Sequence, residues 1–340
     1  MSLSLCMILR DEAFFLARCL DAMQGQVDEI ILVDTGSTDG TLEICRRYTD
    51  SVYEFTWVDD FALARNYALE QATGDWIMVL DADEMVSADD MAYLRGLLAE
   101  PQADAFALNQ LNYSDNSTVR DWQPQQGVHP YGWAYKGYQS NSVVRLFRNR
   151  EELRFTGKVH EIIDLRDESI PVMQLEVPIH HDMSGNPDKE RSERQRNYLR
   201  IMEEALRQQP DGRLAARSGA VRMYELQDYR GAISHLQQAV ELDYDREVNL
   251  EAIGEAHYRL GEHELALEAF GNLYNDGHAT ASLCNNYSNL LVKANDLDKA
   301  IEVLQRALSL GALAPERIER IRHNIAYLKR ELKSQLKTDG

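Results

Sequence analysis

Acidic side chains follow a short apolar run in the first third of the chain, at a spacing that suits metal binding. The run, residues 77–80, is followed by Asp81, Asp83 and Glu84. Such a run predicts a strand buried on both faces. Carboxylates this close together repel each other unless a cation lies between them, and their oxygens suit Mg²⁺ or Mn²⁺ bound together with substrate phosphates. The alternative is an acidic loop or the first turn of a helix.

Acidic residues also end two earlier segments that are predicted to be strands. Asp11 and Glu12 follow Ser4–Leu9, and Asp34 ends Glu29–Asp34. Ligands of open α/β sheets bind beyond the carboxyl ends of the strands. Acids after three such strands converge on one edge of the sheet, and we expect a ligand-binding site there.

The segments around these strands alternate between strand and helix, which predicts an α/β fold with a mostly parallel sheet and helices on both faces. The turn Thr35–Thr41 has neither a Gly-x-Gly-x-x-Gly fingerprint nor a Gly-Lys-Ser phosphate loop, which disfavours nicotinamide and P-loop binding. The predicted helices are Ala13–Gln24, Thr41–Tyr48 and Phe61–Ala72, and the further strands are Ser51–Phe55, Ala105–Tyr113 and Ser142–Phe147.

The composition describes an acidic globular protein. The chain has 340 residues, 44% of them apolar, and a formal net charge of −20. That charge disfavours nucleic acid as a partner, because such binding depends on Lys and Arg neutralising phosphates. No segment reaches the ~20 apolar residues that span a bilayer, and the N-terminus lacks the pattern of a signal peptide, so we expect a cytoplasmic protein without a transmembrane segment. An acidic protein that binds a diphosphate must supply a metal or a few placed arginines.

The second half of the chain repeats with a period of 34 residues. Ala232, Ala266 and Ala300 are 34 residues apart. A helical period of this length is the tetratricopeptide signature, and the small residues let paired helices approach closely. The predicted parts are an N-terminal domain over 1–186, a linker helix over 187–211 and tetratricopeptide (TPR) repeats over 212–340, at about 213–246, 247–280 and 281–314, with a capping helix over 316–337.

Four ordered segments between residues 5 and 84 resemble the family 2 glycosyltransferases of the GT-A fold. The resemblance implies a GT-A catalytic domain that transfers a sugar from a nucleotide-diphosphate donor, usually a UDP-sugar, with inversion at the anomeric carbon. The segments are Leu5-Cys6-Met7-Ile8-x-x-Asp11-Glu12, residues 28–41 (Asp-Glu-Ile-Ile-Leu-Val-Asp-Thr-Gly-Ser-Thr-Asp-Gly-Thr), residues 59–66 (Asp-Asp-Phe-x-x-Ala-Arg-Asn) and residues 72–84 (Ala-x-Gly-Asp-Trp-Ile-x-x-Leu-Asp-Ala-Asp-Glu).

The resemblance also implies roles for single residues. Asp83 is expected to ligate the divalent cation, Mn²⁺ or Mg²⁺, which neutralises the leaving diphosphate as a Lewis acid. Asp81 is expected to reach the ribose or the metal. Arg65 is expected near the uridine diphosphate, where it suits a bidentate contact with phosphate; the alternative is an ordinary surface arginine. The residues expected to hold the nucleoside are Asp11, Glu12 and Asp34.

The segments Val143–Arg148 and Phe155–Glu161 resemble the second half of the same transferases. An inverting transfer needs a base that takes the proton of the attacking acceptor. We expect Glu161 to be this base, with Asp164 and Asp182 as the other candidates. The alternative is that Glu161 and the histidine before it form a structural pair.

The segment Val177–His181 resembles the late strand on which related enzymes place a third metal ligand or a contact with the donor phosphate. Neutral imidazole suits Mn²⁺ better than Mg²⁺. We expect His181 rather than His180 in this role. The alternative is that both histidines are structural.

The segment Trp122–Tyr138 is rich in Gly, Pro and aromatic residues. Rigid aromatic rings in a loop suit stacking on sugar rings or on an acceptor chain, and they suit packing against the sheet equally well. The sequence leaves these two interpretations open.

The order of the domains resembles bacterial transferases that modify peptides or proteins, of the sublancin S-glycosyltransferase type, and we expect a peptide or protein acceptor that the repeats recruit. One alternative acceptor is a lipopolysaccharide-core or lipid-linked sugar. Alternatives of another class are a non-catalytic scaffold with a nucleotide-sugar-binding module, and a nucleotidyltransferase, although a Gly-rich basic signature is absent near the first strand. The repeats would alternatively form a homodimer or brace the catalytic domain.

Overall fold

The computed structural model describes residues 1–117, 122–126, 131, 134–165, 167, 169–184, 191–310 and 315–338. The chain divides into two compact units, Met1–Glu193 and Arg194–Gly340. Among the described helices, none combines the length and the apolar character that crossing a bilayer requires.

The first unit is built on a large sheet with helices. Its strands are β1 (Leu3–Leu9), β2 (Glu29–Asp34), β3 (Val52–Glu54), β4 (Trp76–Val79), β5 (Glu84–Met85), β6 (Ala105–Ser114), β7 (Gln123–Pro124), β8 (Gly137–Arg148), β9 (Phe155–Thr156), β10 (Ile162–Ile163) and β11 (Val172–His181). Its helices are α1 (Leu16–Met23), α2 (Thr41–Tyr48), α3 (Phe61–Gln71) and α4 (Ala88–Ala99).

The main sheet has the strand order β3-β2-β1-β4-β8-β6-β11-β5, and β7 pairs with β8. The strands β3, β2, β1 and β4 are parallel to one another. Strand β8 then pairs antiparallel with both β4 and β6, while β6 and β11 are again parallel. The predicted α/β fold is confirmed; the sheet is parallel in the half that the first four strands form and mixed beyond it.

Alternation along β1 places helices on both faces of this sheet, because successive side chains of a strand point to opposite sides. Leu5 and Met7 belong to one buried cluster, which includes residues of α1 and α4. Cys6, between them, belongs to a second cluster with Ala68 of α3. Around β1 the sheet is therefore covered on both faces, and the ends of the strands are the positions left open there.

Two predicted elements of the first unit differ from the structure by three or more residues at one end. Helix α1 begins at Leu16 rather than at residue 13, because the amide groups of Phe15 and Leu16 first close a turn on the carbonyl of Glu12. Strand β8 runs over Gly137–Arg148 rather than from residue 142, since residues 137–141 pair with the end of β6.

The second unit is helical, and side-chain caps begin several of its helices: Asp211, Asp228, Thr280 and Asp296 each accept a hydrogen bond from a first-turn amide. The period-setting residues Ala232, Ala266 and Ala300 are fully buried. The helices are α5 (Arg191–Gln208), α6 (Gly212–Ala220) with a π-helical turn at Val221–Glu225, α7 (Tyr229–Glu241), α8 (Arg246–Arg259), α9 (His263–Asn275), α10 (Ala281–Lys293), α11 (Leu297–Ser309) and α12 (Pro315–Thr338).

Candidate functional site

The carboxyl ends of β1, β2 and β4 lie side by side. Leu9 of β1 pairs with Asp34 of β2, and Cys6 of β1 pairs with Val79 of β4. The acids that follow these strands therefore start from one edge of the sheet, as the alternation of strand and helix predicts.

Asp11 and Asp34 fold the turn after β2. The carboxylate of Asp34 accepts hydrogen bonds from the amides of Gly36 and Ser37, at 3.0 Å each. Asp11 has a left-handed backbone (φ 53°), and its carboxylate accepts from the amide of Thr38 at 2.6 Å. These two acids shape the turn beside the predicted nucleoside position, and Asp34 is only 4% exposed.

Glu12 joins the same turn through its backbone, since its amide donates to Thr41 Oγ1 at 2.7 Å. A nucleoside contact by the side chain of Glu12 stays a prediction.

Two arginines and three carboxylates form a continuous run of ion pairs, which we call the arginine–carboxylate chain. Arg65 donates from Nε to Glu161 Oε1 at 2.5 Å and from Nη2 to Asp81 Oδ1 at 2.8 Å. Arg145 donates from Nη2 to Asp81 Oδ2 and to Glu84 Oε1, at 3.0 Å each. The arginine–carboxylate chain brings together three predicted site residues, Arg65, Asp81 and Glu161. It also includes Arg145 of β8, which the sequence analysis did not single out.

Both arginines and Glu84 of the arginine–carboxylate chain are buried, whereas the side chain of Asp81 is 35% exposed. Arg65 is 7% exposed, Arg145 is 9% exposed and Glu84 is fully buried. Burial alone would raise the pKa of Asp81, but the neighbouring Arg65 and Arg145 hold it well below its usual range. Burial likewise opposes the charge of Arg65, and the carboxylates of Asp81 and Glu161 outweigh it and raise the arginine pKa. Arg65 is therefore a buried, permanent cation and not a surface helix arginine.

Both arginines keep a buried nitrogen without a hydrogen-bond partner in the described part of the chain: Nη1 of Arg65 and Nε of Arg145. An unsatisfied buried donor costs about 1–3 kcal/mol. An anionic ligand that reaches these donors would recover that cost. Guanidinium groups suit phosphate oxygens in this role, because their donors match the geometry of the anion.

Removing the charge of Arg145 is expected to destabilise the fold. Arg145→Met leaves Asp81 Oδ2 and Glu84 without their shared cation, and breaking a buried ion pair costs about 3–5 kcal/mol. The control is Arg95→Met, which breaks the exposed pair between Arg95 and Asp28 (3.0 Å) and should cost no more than about 1 kcal/mol. Urea denaturation measures both losses, and equal losses for the two variants would show that the buried network does not stabilise the unit.

The turn Asp81–Glu84 is closed by its own last side chain. Glu84 Oε2 accepts from the amide of Asp81 at 2.8 Å, and the amide of Glu84 donates to the carbonyl of Asp81 at 3.0 Å. Gln110 also donates to Glu84 Oε1. This fixes the position of Asp83 between the two ends of the turn.

Asp83 lies against His181. His181 Nε2 is 3.3 Å from Asp83 Oδ2, and His181 Nδ1 is 2.6 Å from Asn112 Oδ1. Burial lowers the pKa of His181, but the hydrogen bond and charge of Asp83, with Glu84 and Asp81 nearby, raise it to about 8. A cation is therefore favoured between Nε2 and Oδ2, and it is either the proton of an imidazolium or a metal ion.

The Asp83–His181 pair fits a divalent cation through the chemistry of its donors, one carboxylate oxygen and one imidazole nitrogen. No group of three or more metal-ligating side chains occurs among the described residues, so further ligands would come from the substrate or water. Asp81, the other expected ligand, already accepts from Arg65 and Arg145 through both of its oxygens. Asp83 and His181 thus fit the expected metal better than Asp81 does, and the metal itself stays a prediction.

His180 lies in a different environment from its neighbour. Its Nδ1 is 2.8 Å from the hydroxyl of Tyr113, its ring stacks on that tyrosine and contacts the edge of Tyr131, and it is 5% exposed. His180 is thus a packed core residue, which agrees with the choice of His181 as the candidate ligand.

Of the other base candidates, Asp182 is held by hydrogen bonds. It accepts from Arg18 and from the hydroxyl of Tyr135, at 2.7 Å each. Burial raises its pKa, but these bonds outweigh burial and lower it. The amide of Asp164 donates to the carbonyl of Arg154 at 2.9 Å, and its candidacy as the base stays a prediction.

The described aromatic residues between β6 and β8 pack on the sheet. Tyr135 stacks on Tyr113 at 6.0 Å, and the indole of Trp122 donates to the carbonyl of Ser114 at 2.9 Å. These contacts favour the packing interpretation for both rings. Trp133 lies outside the described residues.

Glu161 is positioned by a segment that is fastened to α3. Asn66 of α3 exchanges two hydrogen bonds with the backbone of Phe155, at 2.8 and 2.9 Å. The amide of Phe61 donates to the carbonyl of Lys158 at 2.8 Å. Since Arg65 lies on the same helix, these bonds bring Glu161 to it.

A left-handed residue immediately precedes Glu161: His160 has φ 53°. A β-branched residue is strained there, whereas Asn accepts this conformation readily. His160→Val is therefore expected to be about 1–2 kcal/mol less stable than His160→Asn, and to lose more activity, because the strain displaces Glu161. Both variants lack the imidazole, so their difference in urea denaturation isolates the backbone effect; equal stabilities would contradict it.

Comparison with known families identifies the first unit. A model described as glycosyl transferase family 2 matches residues 4–157, and one described as tetratricopeptide repeat matches residues 281–310. The chain carries a glycosyl transferase family 2 domain. The resemblance drawn from residues 5–84 is thus confirmed, and so is a tetratricopeptide repeat near the position of the third predicted repeat.

Three curated proteins show what the chain is similar to. A TPR repeat-containing protein of Synechococcus elongatus is 41% identical over 52% of this chain and 38% of its own length. The glycosyltransferase SunS of Bacillus subtilis is 29% identical over 60% of this chain and 45% of its own. The lipopolysaccharide core biosynthesis glycosyltransferase LpsC of Rhizobium meliloti is 34% identical over 47% of this chain and 56% of its own. The matches thus span only about half of these relatives.

Proposed function

We propose that the protein is a metal-dependent inverting glycosyltransferase that moves a sugar from a UDP-sugar to a peptide or protein acceptor recruited by its repeats. Support comes from the family 2 domain and from the similarity to proteins named as glycosyltransferases. The observation that carries the proposal is the buried Arg65. It lies between Asp81 and Glu161 and keeps an unsatisfied donor at Nη1, as a phosphate-binding arginine would before its ligand arrives.

In the proposed mechanism Arg65 stabilises the departing diphosphate. Negative charge develops on the diphosphate as its bond to the anomeric carbon breaks. A buried, preorganised cation stabilises that transition state more than a cation in water does. Asp81 accepts from Arg65 through Oδ1 and from Arg145 through Oδ2. Asp81 and Arg145 therefore orient the arginine that touches the substrate.

Glu161 would act as the base. Its Oε1 accepts from Arg65 at 2.5 Å, so the second oxygen, Oε2, would take the proton of the attacking acceptor. A metal ion held by Asp83 and His181 would supply Lewis-acid stabilisation of the leaving diphosphate. The nucleoside contacts of Asp11, Glu12 and Asp34 belong to the same proposal.

The peptide or protein acceptor rests on the helical repeats that follow the family 2 domain, since such repeats present surfaces for extended chains. A lipopolysaccharide-core sugar is the second candidate, and the similarity to LpsC favours it. Incubating the purified chain and a radiolabelled donor with separate protein and lipopolysaccharide fractions of a bacterial lysate distinguishes the two, according to the fraction that takes up label.

The proposal is tested by a thermal-shift screen of the full chain against nucleotide sugars with Mn²⁺ or Mg²⁺. A ligand that binds only the folded state at 100 times its Kd stabilises by about 2.7 kcal/mol, so a UDP-sugar should raise the Tm by several degrees. Donors that pass the screen are then assayed for UDP release. If no nucleotide sugar raises the Tm in the presence of Mn²⁺ or of Mg²⁺, a non-catalytic scaffold would explain the protein better.

A further inference from the structure

We propose that Asn112 is the positioning residue that commits His181 to metal binding. The inference rests on the metal site of the proposed function and names a residue that decides how that site binds. It is argued from the geometry of three adjacent strands.

Strand β6 lies between β8 and β11, and Asn112 has a register partner on each side. It pairs with His181 of β11 in the parallel ladder and with Gln139 of β8 in the antiparallel one. Its side-chain amide spans both neighbours. Oδ1 lies 2.6 Å from His181 Nδ1, and Nδ2 donates to the carbonyl of Gln139 at 3.5 Å.

The two contacts together fix which end of the amide faces the histidine. A backbone carbonyl only accepts, so the NH₂ group of Asn112 belongs on the side of Gln139 and the oxygen on the side of His181. An amide oxygen also only accepts, so His181 Nδ1 must carry a hydrogen and donate it. In a neutral imidazole the lone pair is then on Nε2.

That lone pair is the one beside Asp83. Nε2 and Asp83 Oδ2 are 3.3 Å apart, so the tautomer set by Asn112 presents two electron-pair donors to the same space. The alternative tautomer would place a hydrogen on Nε2 and block the metal. Asn112 therefore holds both the orientation of the ring and the tautomer that a metal ligand needs.

The neighbouring pair provides a matched control. Tyr113 follows Asn112 on β6, and its hydroxyl lies 2.8 Å from Nδ1 of His180, the residue before His181. A hydroxyl both donates and accepts, and His180 is packed among aromatic rings rather than beside Asp83. Tyr113→Phe removes a histidine hydrogen bond from the same two strands without touching His181.

The test is a Mn²⁺ titration of the full chain in the presence of UDP, in which the EPR signal of free aqueous Mn²⁺ reports the unbound metal. Loss of a residue that orients a metal-bound histidine typically weakens metal binding by about 10–100-fold. We expect a loss of this size for Asn112→Leu and for Asn112→Ala. Tyr113→Phe should stay within about threefold of the wild type, and His181→Ala should lose at least as much affinity as Asn112→Leu.

Asn112→Asp separates orientation from simple packing. A carboxylate keeps an acceptor facing Nδ1, so this variant should keep Mn²⁺ affinity within about threefold of the wild type. If it loses as much as Asn112→Leu, the acceptor is not what matters and the inference is overturned. Thermal melts without metal show which variants are folded, and a wild-type affinity in either folded Asn112→Leu or Asn112→Ala also overturns it.

The wild type and His181→Ala show whether the metal site itself fails. If the wild type with UDP binds no Mn²⁺, the metal part of the proposed function falls and this inference falls with it. If the wild type binds Mn²⁺, His181→Ala weakens it and Asn112→Leu does not, the metal site stands and only the role of Asn112 is rejected.

Discussion

Glu161→Gln is expected to lower the turnover of a UDP-sugar by about 10²–10⁴-fold, the range that general base catalysis contributes. Glutamine is nearly the same size and keeps an oxygen that accepts from Arg65 Nε, so the 2.5 Å contact has a neutral replacement. It cannot take the proton of the acceptor. Donor affinity should therefore change by only a few-fold while kcat falls, which steady-state kinetics of UDP release separates.

Asp164→Asn and Asp182→Asn are the comparison variants for the base. Neither belongs to the arginine–carboxylate chain, and Asp182 is already held by Arg18 and Tyr135. Turnover near that of the wild type in Glu161→Gln, with a large loss in one of these two, would move the base to that residue.

Asp83→Ala is expected to lower kcat/KM by about 100- to 1000-fold at fixed Mn²⁺, which corresponds to about 3–4 kcal/mol of transition-state stabilisation. The carboxylate of Asp83 faces His181 Nε2 at 3.3 Å, and its removal leaves a single protein donor for the cation. Part of the loss should be recovered by raising the Mn²⁺ concentration, because the remaining ligands still bind the metal weakly. The assay is UDP release measured over a range of Mn²⁺ concentrations.

Asp89→Ala is the control for Asp83→Ala. Asp89 is an exposed acid in the first turn of α4, six residues after Asp83. The substitution Asp89→Ala removes the same charge outside the site. The two variants should differ by at least about tenfold in kcat/KM. Full turnover in Asp83→Ala would reject the metal role of this residue.

Much of the first half of the fold is predictable from local patterns. The bounds predicted for Glu29–Asp34 and Thr41–Tyr48 are those of β2 and α2, because a compact apolar run and a Gly-rich turn mark their ends clearly. Asp60 caps α3 by accepting from the amide of Leu63, and Asp is among the residues most favoured at this position. The placement of Asp34 and of the Asp81–Glu84 turn at one edge follows from parallel strands, which the alternation of helices and strands predicts.

The second half of the sheet is less accessible from sequence, because its pairings join segments far apart in the chain. Nothing local shows that β8 inserts antiparallel between β4 and β6. Arg145 illustrates the consequence: its place in Val143–Arg148 is visible, but its contacts with Asp81 and Glu84 depend on that pairing. A charged residue between the apolar pairs Val143–Val144 and Leu146–Phe147 was the available signal.

Asn112 was missed for a related reason. An Asn in a predicted strand is unremarkable until its register partners are known, and its role depends on His181 and Gln139 lying on either side. The sequence likewise left the aromatic segment open, since the same rings suit a ligand or the sheet. Tyr135 is placed on the sheet by its stacking on Tyr113 and its bond to Asp182.

Calorimetric titration of the full chain with UDP, with and without Mn²⁺, tests the central claim most directly. If Asp83, His181 and the arginine–carboxylate chain share one site for a cation and a diphosphate, the two ligands must strengthen each other's binding. We predict that Mn²⁺ tightens UDP binding by about 10-fold or more, within the range of typical coupling between ligands. UDP binding with the same Kd in the presence and absence of Mn²⁺ would contradict the account.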